Sequence, residues 1–357
     1  LKRPAESPEA SVGEVPEGSP VMPHDAAAEP TLLPPCALRA VAAWPTSTLR
    51  LGPRAAVLAA VDERRVERTP GLGHLDAERA LELSVHGALL AAWIAARSLH
   101  GARPIVVGIN GGQGSGKSTL SELIATHLRH RHGLRTLVLA LDDLYLGRAE
   151  RARLAAEVHP LLATRGVPGT HDVERGLALL RRLRAGIAPD RPLRLPRFDK
   201  AIDDRLPAAS EPVLEQDVDI VLFEGWCVGV APQSSDALTT PINALEREED
   251  PDGRWRRYVN AMLGGSYAQL FAQLDVLLML QVPGFDAVLR WREAQEAVLR
   301  ARRGGGMTQP EVVRFVAHYE RLTRHGLATL PGRADLVLGL GADHGIETVR
   351  PGRGRTD

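Results

Sequence analysis

The stretch IVVGINGGQGSGKS, residues 105–118, decides how this chain folds. It opens with a short apolar, β-branched run that is typical of a buried strand. Its second half fits the pattern G-x-x-x-x-G-K-[ST] and leads into apolar residues at helical spacing in STLSELIATHLRH. A strand, a glycine-rich turn and a helix form the arrangement in which backbone N–H groups surround a polyphosphate. A chance glycine-rich turn is the alternative, and it does not explain the flanking strand and helix.

The loop at residues 111–118 contains the residue types that hold a nucleotide and its metal ion. Its glycines let the backbone adopt positive φ angles and approach phosphate oxygens closely. Lys117 would place a compact charge on the β- and γ-phosphates, and the Ser118 hydroxyl would be a ligand of Mg²⁺. We therefore predict ATP and Mg²⁺ as cofactors. The residues expected to bind them are Gly111, Gly112, Gln113, Gly114, Ser115, Gly116, Lys117, Ser118 and Thr119.

Lysine usage singles out one further position. Of the 44 basic residues only three are lysine, namely Lys2, Lys117 and Lys200, and the others are arginine. A lysine that persists in such a chain is a candidate for a position that needs a compact ammonium group rather than a planar guanidinium. Because Lys2 lies in a tail-like segment and Lys117 in the loop, Lys200 is the candidate that remains.

The overall composition limits the classes of function. Among 357 residues, 44 acidic and 44 basic side chains give a formal net charge of zero, which favours neither nucleic acid nor an anionic membrane. Two cysteines suit a reducing compartment. The longest apolar stretch, residues 88–96, is too short to cross a bilayer, and no secretory signal opens the chain. These features predict a soluble cytoplasmic protein without nucleic-acid or membrane partners, and they leave its oligomeric state open.

Four more apolar runs follow the first strand and predict a parallel sheet. They are residues 136–141, 218–223, 275–282 and 334–340. Because nearly continuous apolar runs alternate with helical stretches, we expect an α/β fold with helices on both faces of the sheet. Ligands of such sheets bind beyond the carboxyl ends of the strands. The polar residues that follow these runs are therefore the candidates for chemistry.

Composition divides the chain into four segments. Residues 1–50 are rich in Pro, Ala, Glu and Ser and lack apolar periodicity, which predicts a disordered tail. Residues 51–100 are expected to form a helical lead-in, with the clearest pattern at residues 76–99. Residues 101–345 would form the nucleotide-binding domain, and residues 346–357 a C-terminal tail.

Carboxylates follow two of the predicted strands. Asp142 and Asp143 end the second run, where a carboxylate could take the proton of an attacking hydroxyl group. Glu224 ends the third run and could hold Mg²⁺ beside Ser118. The alternatives are a turn or helix cap for the aspartates and a buried acid paired with an arginine for Glu224.

Two polar segments between the second and third runs could bind an acceptor. They are PLLATRGVPGTHD at residues 160–172 and PRFDKAIDDR at residues 196–205. A small, anionic, hydroxylated molecule would need Arg or Lys for its carboxylate and Asp or His for its hydroxyl groups. Asp172 could instead be the N-cap of a helix that starts at Val173. The substrate candidates are His171, Asp172, Arg197, Asp199, Lys200 and Arg205.

A long arginine-bearing helix is predicted at residues 285–303, and Gly304–Gly306 after it would permit hinge motion. Arginines on a mobile helix could close over the transferring phosphoryl group as a lid. Arg290 and Arg292 are the candidates because they lie nearest the end of the fourth strand.

Together these motifs resemble the D-glycerate 3-kinase family, one of the P-loop kinases alongside uridine kinase, phosphoribulokinase and bacterial pantothenate kinase. The resemblance spans about residues 80–345. It rests on GGQGSGKSTL, LDDLYL, PLLATRGVPGTHD, PRFDKAIDDR, VLFEGWCVG, RWREAQE and GMTQPEVVRFVAHYERL. The phosphate loop is shared by many ATPases, whereas the PLL-x-x-RG-x-x-G-x-HD and FDK segments are much more specific.

The resemblance implies a P-loop kinase fold with a parallel five-stranded core and a lid helix. It also implies ATP- and Mg²⁺-dependent phosphorylation of a hydroxyl group on a small acid, with D-glycerate as the first candidate. Asp142 would be the base and Lys117 the phosphate clamp. Ser118 and Glu224 would hold magnesium, and Arg290 or Arg292 would belong to the lid.

Two alternatives to this function remain open at the level of sequence. The first is a kinase for another small acceptor, such as a nucleoside, pantothenate or a sugar phosphate. The second is a non-catalytic switch protein that binds a nucleotide to change its partners. Such a switch needs no acceptor pocket, so the two aspartates and the FDK segment favour an enzyme.

Overall fold

A six-stranded sheet forms the centre of the computed structural model, which describes residues 35–45, 75–99, 103–188, 190–303 and 306–352. The order of its strands is β10-β9-β8-β1-β7-β2. Its strands are β1 Ile105–Gly111, β2 Thr136–Ala140, β7 Ile220–Gly225, β8 Val276–Gln281, β9 Leu336–Leu340 and β10 Ile346–Pro351. Two small antiparallel sheets pair β3 (Leu193–Arg194) with β6 (Val213–Leu214) and β4 (Phe198–Asp199) with β5 (Asp204–Arg205).

Ten α-helices accompany the strands in the described part of the chain. They are α1 Pro35–Ala42, α2 Ala77–Ser98, α3 Lys117–His132, α4 Arg148–Glu157, α5 Val173–Ala185, α6 Ala244–Glu249, α7 Arg254–Gly264, α8 Ser266–Phe271, α9 Phe285–Arg303 and α10 Gln309–Thr329. Helix α3 packs on strands β1, β2 and β7, and α2 packs on α3. On the other face, α5 and α8 share a hydrophobic core with alternate residues of the strands. Helices thus cover the sheet on both sides.

The five predicted strands are confirmed, and all five run parallel. Every residue of the adjacent parallel strands β1 and β7 is buried, as expected for strands covered on both faces. Their register sets Ile109 beside Glu224, so the carboxyl ends of β1 and β7 meet at one edge. The loop that follows β1 therefore lies near the polar residues that follow β7.

Two segments differ from the expectation of disordered or tail-like ends. Residues 346–351, predicted as part of the C-terminal tail, form the antiparallel edge strand β10, which pairs with β9. Residues 35–42, predicted as part of the disordered tail, form α1, which packs on α2. Both segments bury apolar side chains, including Cys36, Ala40, Ile346 and Val349. The rest of the predicted N-terminal tail and residues 51–74 lie outside the described residues.

The segment after α1 is attached to the sheet and to α2. The Val349 amide of β10 donates a hydrogen bond to the Ala43 carbonyl at 3.0 Å. Next to it, Trp44 Nε1 donates to His86 Nδ1 at 3.2 Å, and both side chains are buried. The edge strand is therefore covered by residues that precede the first strand. No helix in the described part of the chain is both long and apolar enough to cross a membrane.

Candidate active site

The phosphate loop between β1 and α3 has the conformation that its glycines predict. Gly114 and Gly116 have φ angles of 77° and 80°, in the left-handed region where a side chain is strained. Gly116 is the N-cap of α3, which begins at Lys117. The first amides of a helix have no acceptor within it and carry a partial positive charge. The loop therefore places unpaired donors and the Lys117 ammonium at a single anion-binding turn.

Two oxygen ligands lie together beside this loop. The Ser118 hydroxyl donates a hydrogen bond to Glu224 Oε1 at 2.6 Å, and Glu224 is 6% exposed. Mg²⁺ takes oxygen ligands and usually keeps several waters, so one hydroxyl and one carboxylate fit its needs. This donor set therefore fits a hydrated Mg²⁺. In the described part of the chain, no cluster of three or more His, Cys, Asp or Glu could hold a metal ion.

Both carboxylate oxygens of Asp142, which follows β2, accept hydrogen bonds. Its Oδ2 accepts a hydrogen bond from Lys200 Nζ at 2.6 Å, and its Oδ1 accepts one from the Tyr145 hydroxyl at 2.8 Å. Burial alone would raise the pKa of Asp142, but the charges of Lys200 and Lys117 outweigh it and lower the pKa to about 2. Strand β2 pairs with β7 and sets Ala140 beside Glu224, so Asp142 lies at the same edge of the sheet as Ser118 and Glu224.

The neighbouring Asp143 has a different set of contacts. Its Oδ2 pairs with Arg197 Nη1 at 2.7 Å, and its Oδ1 accepts from the Phe198 amide at 3.4 Å. Burial is the strongest influence on Asp143 and raises its pKa, although Arg197 acts in the opposite direction. Asp143 thus anchors the start of hairpin strand β4, whereas Asp142 faces Lys200.

His171 is buried beside these aspartates as a neutral ring. Its Nδ1 lies 2.5 Å from the Tyr267 hydroxyl, which itself accepts a hydrogen bond from the Gly169 amide. Burial lowers the pKa of His171 to about 3. The ring stacks on Tyr145 at 4.6 Å between centroids, and its Nε2 has no hydrogen-bond partner among the described residues. The tautomer decides whether the Tyr267 hydroxyl or the ring N–H donates in this contact, and Nε2 is buried.

Three of the predicted substrate residues make internal contacts that shape the site. Asp172 is the N-cap of α5, where it accepts from the Arg175 amide at 3.0 Å, so the capping alternative is confirmed. Arg205 Nη2 donates a hydrogen bond to Asp172 Oδ2 at 3.2 Å, and its Nε donates to the Tyr145 carbonyl at 2.9 Å. Asp199 accepts from the Ala201 amide at 2.8 Å and so fixes the turn that carries Lys200.

The two lid arginines lie on different faces of α9. The Arg292 guanidinium lies 5.3 Å from the Phe315 ring and pairs with the buried Glu296. Phe315 packs on Tyr319, whose hydroxyl donates to the Arg165 carbonyl in the PLLATRG segment. Arg290 is exposed and lines a groove between α9 and α10. Arg292 is thus the arginine on the side of α9 that faces Phe315 and Tyr319. The predicted hinge at Gly304 and Gly305 lies outside the described residues.

Sequence reasoning missed one cluster in the acceptor region. Arg151, which is 1% exposed, pairs with Asp203 Oδ2 at 2.7 Å, and Arg165 pairs with Oδ1 of the same carboxylate. Asp203 has a φ angle of 57°, which is unusual for a residue with a side chain. Tyr319 donates to the Arg165 carbonyl at 2.9 Å. Arg165 and Asp203 lie within the two polar segments singled out in the sequence, PLLATRGVPGTHD and PRFDKAIDDR, whereas Arg151 lies outside both.

Comparison with known proteins identifies relatives that are kinases. No family model matches the chain. The chain is 32% identical over 246 residues to the uncharacterized kinase mug58 of Schizosaccharomyces pombe, which covers 66% of this chain and 85% of that protein. It is 27% identical over 233 residues to the chloroplastic D-glycerate 3-kinase of Arabidopsis thaliana, which covers 64% of this chain and 48% of that protein.

A solved structure agrees with these relatives. D-glycerate 3-kinase from Cryptococcus neoformans var. grubii superimposes with a TM-score of 0.58 at 26% identity and covers 73% of this chain and 99% of that one. In this chain the phosphate loop, the paired Ser118 and Glu224, and the aspartates after β2 lie at the carboxyl edge of the parallel strands. From the relatives and the fold together, this kinase belongs to the D-glycerate 3-kinase family of P-loop kinases.

Proposed function

We propose that this kinase transfers the γ-phosphate of ATP to a hydroxyl group of a small hydroxy acid, with D-glycerate as the acceptor. The observation that supports the proposal is the position of Asp142 just beyond β2, where Ala140 lies in register with Glu224, the partner of Ser118. A carboxylate in this place lies between the bound phosphates and the polar segments that would hold an acceptor. The relatives named D-glycerate 3-kinase support the choice of acceptor.

The proposed reaction is an in-line transfer in which Asp142 is the general base. The acceptor hydroxyl oxygen forms a bond to the γ-phosphorus while the bond from that phosphorus to the bridging oxygen of ADP breaks. The hydroxyl proton passes to Asp142, which later releases it to water. Lys117 stays on the β- and γ-phosphates throughout and offsets the charge that develops on the departing ADP.

Ser118 and Glu224 would hold the magnesium ion of the nucleotide. The ion, when bound, would neutralise phosphate charge. The buried Ser115 hydroxyl of the loop has no hydrogen-bond partner among the described residues, as expected for a group that a phosphate oxygen would satisfy. We propose Arg292 as the lid arginine, because its guanidinium lies against Phe315 beside Tyr319, whereas Arg290 is exposed.

The acceptor would bind among cations and one neutral imidazole. Lys200 and Arg197 bring positive charge to the two aspartates, and the buried His171 Nε2 has no hydrogen-bond partner among the described residues. A molecule with one carboxylate and adjacent hydroxyl groups matches these partners. We also propose a cytoplasmic location, although the Arabidopsis relative is named as chloroplastic.

An acceptor panel tests the proposed function. ADP release is measured with ATP and Mg²⁺ in the presence of D-glycerate, uridine, pantothenate and ribulose 5-phosphate, and the product is identified by ³¹P NMR. We expect D-glycerate to stimulate release and to become phosphorylated. The Lys117→Ala variant is the catalytic blank. Stimulation by another acceptor alone would overturn the choice of D-glycerate, and ATP binding without acceptor-dependent release would instead identify a nucleotide-binding switch.

A further inference from the structure

The ammonium group of Lys200 is paired with the carboxylate oxygen of Asp142 that would accept the proton of the acceptor hydroxyl group. Its Nζ lies 2.6 Å from Asp142 Oδ2, while Oδ1 of the same carboxylate accepts from Tyr145. Both oxygens of Asp142 are therefore engaged before any acceptor binds. A carboxylate that is paired with an ammonium group is a weak base, because a positive neighbour stabilises its charged form. The pairing must loosen before Asp142 can take a proton from an alcohol.

The backbone around Lys200 is fixed, whereas its side chain is exposed. Lys200 starts the turn between β4 and β5. At the other end of that turn, Asp203 is paired with Arg151 and Arg165. By contrast, the Lys200 side chain is 60% exposed and its ammonium group contacts Asp142 at a single oxygen. The turn thus sets the place of the ammonium group while leaving it room to move to a new partner.

The choice of lysine at this position fits an exchange of partners. Almost every other cation of the chain is an arginine, and Asp143 next door is paired with one, Arg197. A guanidinium group can bind a carboxylate with two parallel hydrogen bonds, whereas an ammonium group is a point charge that changes partner more easily. An arginine at position 200 would keep the charge but hold Asp142 more firmly.

We propose that Lys200 is a specificity-determining residue that moves from Asp142 to the carboxylate of the acceptor and thereby frees Asp142 Oδ2 for the hydroxyl proton. This inference rests on the proposed function. An acceptor without an anionic group leaves the ion pair in place and is therefore a poor substrate even if it binds. The low pKa of Asp142, held down largely by Lys200, supports the same conclusion.

The kinetic test compares two acceptors and three enzymes. D-glycerate and D-glyceramide differ in that an amide replaces the carboxylate, and the enzymes are the wild type, Lys200→Met and Lys200→Arg. With Lys200→Met, we expect kcat/KM for D-glycerate to fall about 30-fold, the scale of one lost charge-assisted hydrogen bond. For D-glyceramide we expect kcat to rise about fivefold or more over the wild type, because Asp142 is no longer paired.

The Lys200→Arg variant distinguishes the effect of the positive charge from the ability of the side chain to change partner. We expect it to keep KM for D-glycerate within about threefold of the wild type and to lower kcat, because the positive charge persists but releases Asp142 less readily. Arg314→Met is the matched control, since it removes an exposed cation from the ion pair with Glu249 on another part of the surface. That variant should behave as the wild type with both acceptors.

A second measurement detects the movement of the Lys200 ammonium group in the absence of turnover. The chain has three lysines, so selective ¹⁵N labelling gives few ammonium signals, and the Lys200→Met variant assigns the signal of Lys200. We expect D-glycerate, added with a non-hydrolysable ATP analogue, to shift the Lys200 signal to that seen in Asp142→Asn with D-glycerate. D-glyceramide should leave it unchanged.

The outcomes separate this inference from the proposed function. A fall in activity of Lys200→Met with both acceptors would mean that Lys200 is structural or only helps the base, and it would overturn the exchange. A loss with D-glycerate and no gain with D-glyceramide, together with an unchanged NMR signal, would also overturn it. Absence of transfer from the wild type to D-glycerate would instead overturn the proposed acceptor, and the exchange with it.

Discussion

Asp142 and Asp143 follow one another in the chain, yet their carboxylates pair with different cations and their pKa values shift in opposite directions. Asp142 pairs with Lys200 and has a lowered pKa, whereas Asp143 pairs with Arg197 and has a raised one. Only Asp142 has the Lys117 charge among the main causes of its shift. The two positions should therefore separate chemistry from positioning when each is changed.

Asp142→Asn should keep ATP binding and lose turnover about a hundredfold or more, the scale of a lost general base. The asparagine amide cannot accept the proton of the acceptor hydroxyl group. The substitution leaves the phosphate loop, and therefore ATP binding, unchanged. ATP affinity is measured by calorimetry and turnover by acceptor-dependent ADP release. Asp143→Asn is the comparison, and it should raise KM for the acceptor with a smaller effect on kcat, because Asp143 holds Arg197 and the start of β4. A greater loss of kcat in Asp143→Asn would reverse the two roles.

Glu224→Gln should increase the Mg²⁺ concentration needed for half-maximal activity about tenfold or more, since a carboxylate ligand of a hard cation is lost. The side chain keeps its size, so the contact with Ser118 at 2.6 Å would be kept as a neutral hydrogen bond. The measurement is ADP release as a function of Mg²⁺ at saturating ATP and acceptor. An unchanged Mg²⁺ dependence would remove Glu224 from the metal site.

Acid should destabilise this protein through its buried histidines. Burial lowers the pKa of His86 to about 3, so the folded state keeps this ring neutral while the unfolded state takes up a proton below about pH 6.5. The contribution of the neutral His86 ring to the free energy of unfolding is therefore fully present above pH 6.5 and is lost as the pH falls from 6.5 towards 3. At pH 5, His86 alone lowers the free energy of unfolding by about 2 kcal/mol relative to its value at neutral pH.

His86→Gln should therefore reduce the difference in unfolding free energy between pH 7 and pH 5, as measured by urea denaturation at both values. The amide oxygen could still accept from Trp44, which donates to His86 in the wild type. The same substitution at the exposed His130 controls for the loss of a histidine. An equal pH dependence in wild type and His86→Gln would show that His86 takes up its proton in the folded state.

Gly166→Ala should destabilise the fold by about 3 kcal/mol, because steric overlap adds to backbone strain. Gly166 has a φ angle of 130°, and a Cβ there would lie 2.0 Å from the Tyr319 hydroxyl. Gly133→Ala is the matched control, since its φ angle is 63° but nothing lies within 4 Å of a Cβ. That variant should lose only about 1 kcal/mol. Equal losses in thermal unfolding would mean that the loop at Gly166 moves aside.

Sequence alone predicted the centre of this molecule because its signals are local and strong there. Long apolar runs gave all five parallel strands, and the glycine pattern gave the loop and the start of α3 at Lys117. The approach of Ser118 to Glu224 followed from a general rule, that parallel strands bring their carboxyl ends to one edge. Each of these inferences depends on a pattern longer than a few residues.

The parts that were missed lack such patterns. Strand β10 contains a proline and only two buried residues, so nothing in IETVRP resembles a core strand. The hairpin strands are two residues long. The different surroundings of Arg290 and Arg292 depend on the rotation of α9 about its axis, which the neighbouring helix α10 sets. Likewise, the pairing of Asp203 with Arg151 and Arg165 joins three separate segments of the chain.

The hydrogen bond from Val349 to Ala43 has a practical consequence for anyone who shortens this protein. Expression of the region from residue 75 onward would keep every residue of the proposed active site but would remove the cover from the outer side of β10. An exposed edge strand can form hydrogen bonds with the same strand of another molecule, so we expect such a fragment to aggregate. The eleven-residue segment 35–45 is therefore worth retaining in any recombinant version meant for crystallography or screening.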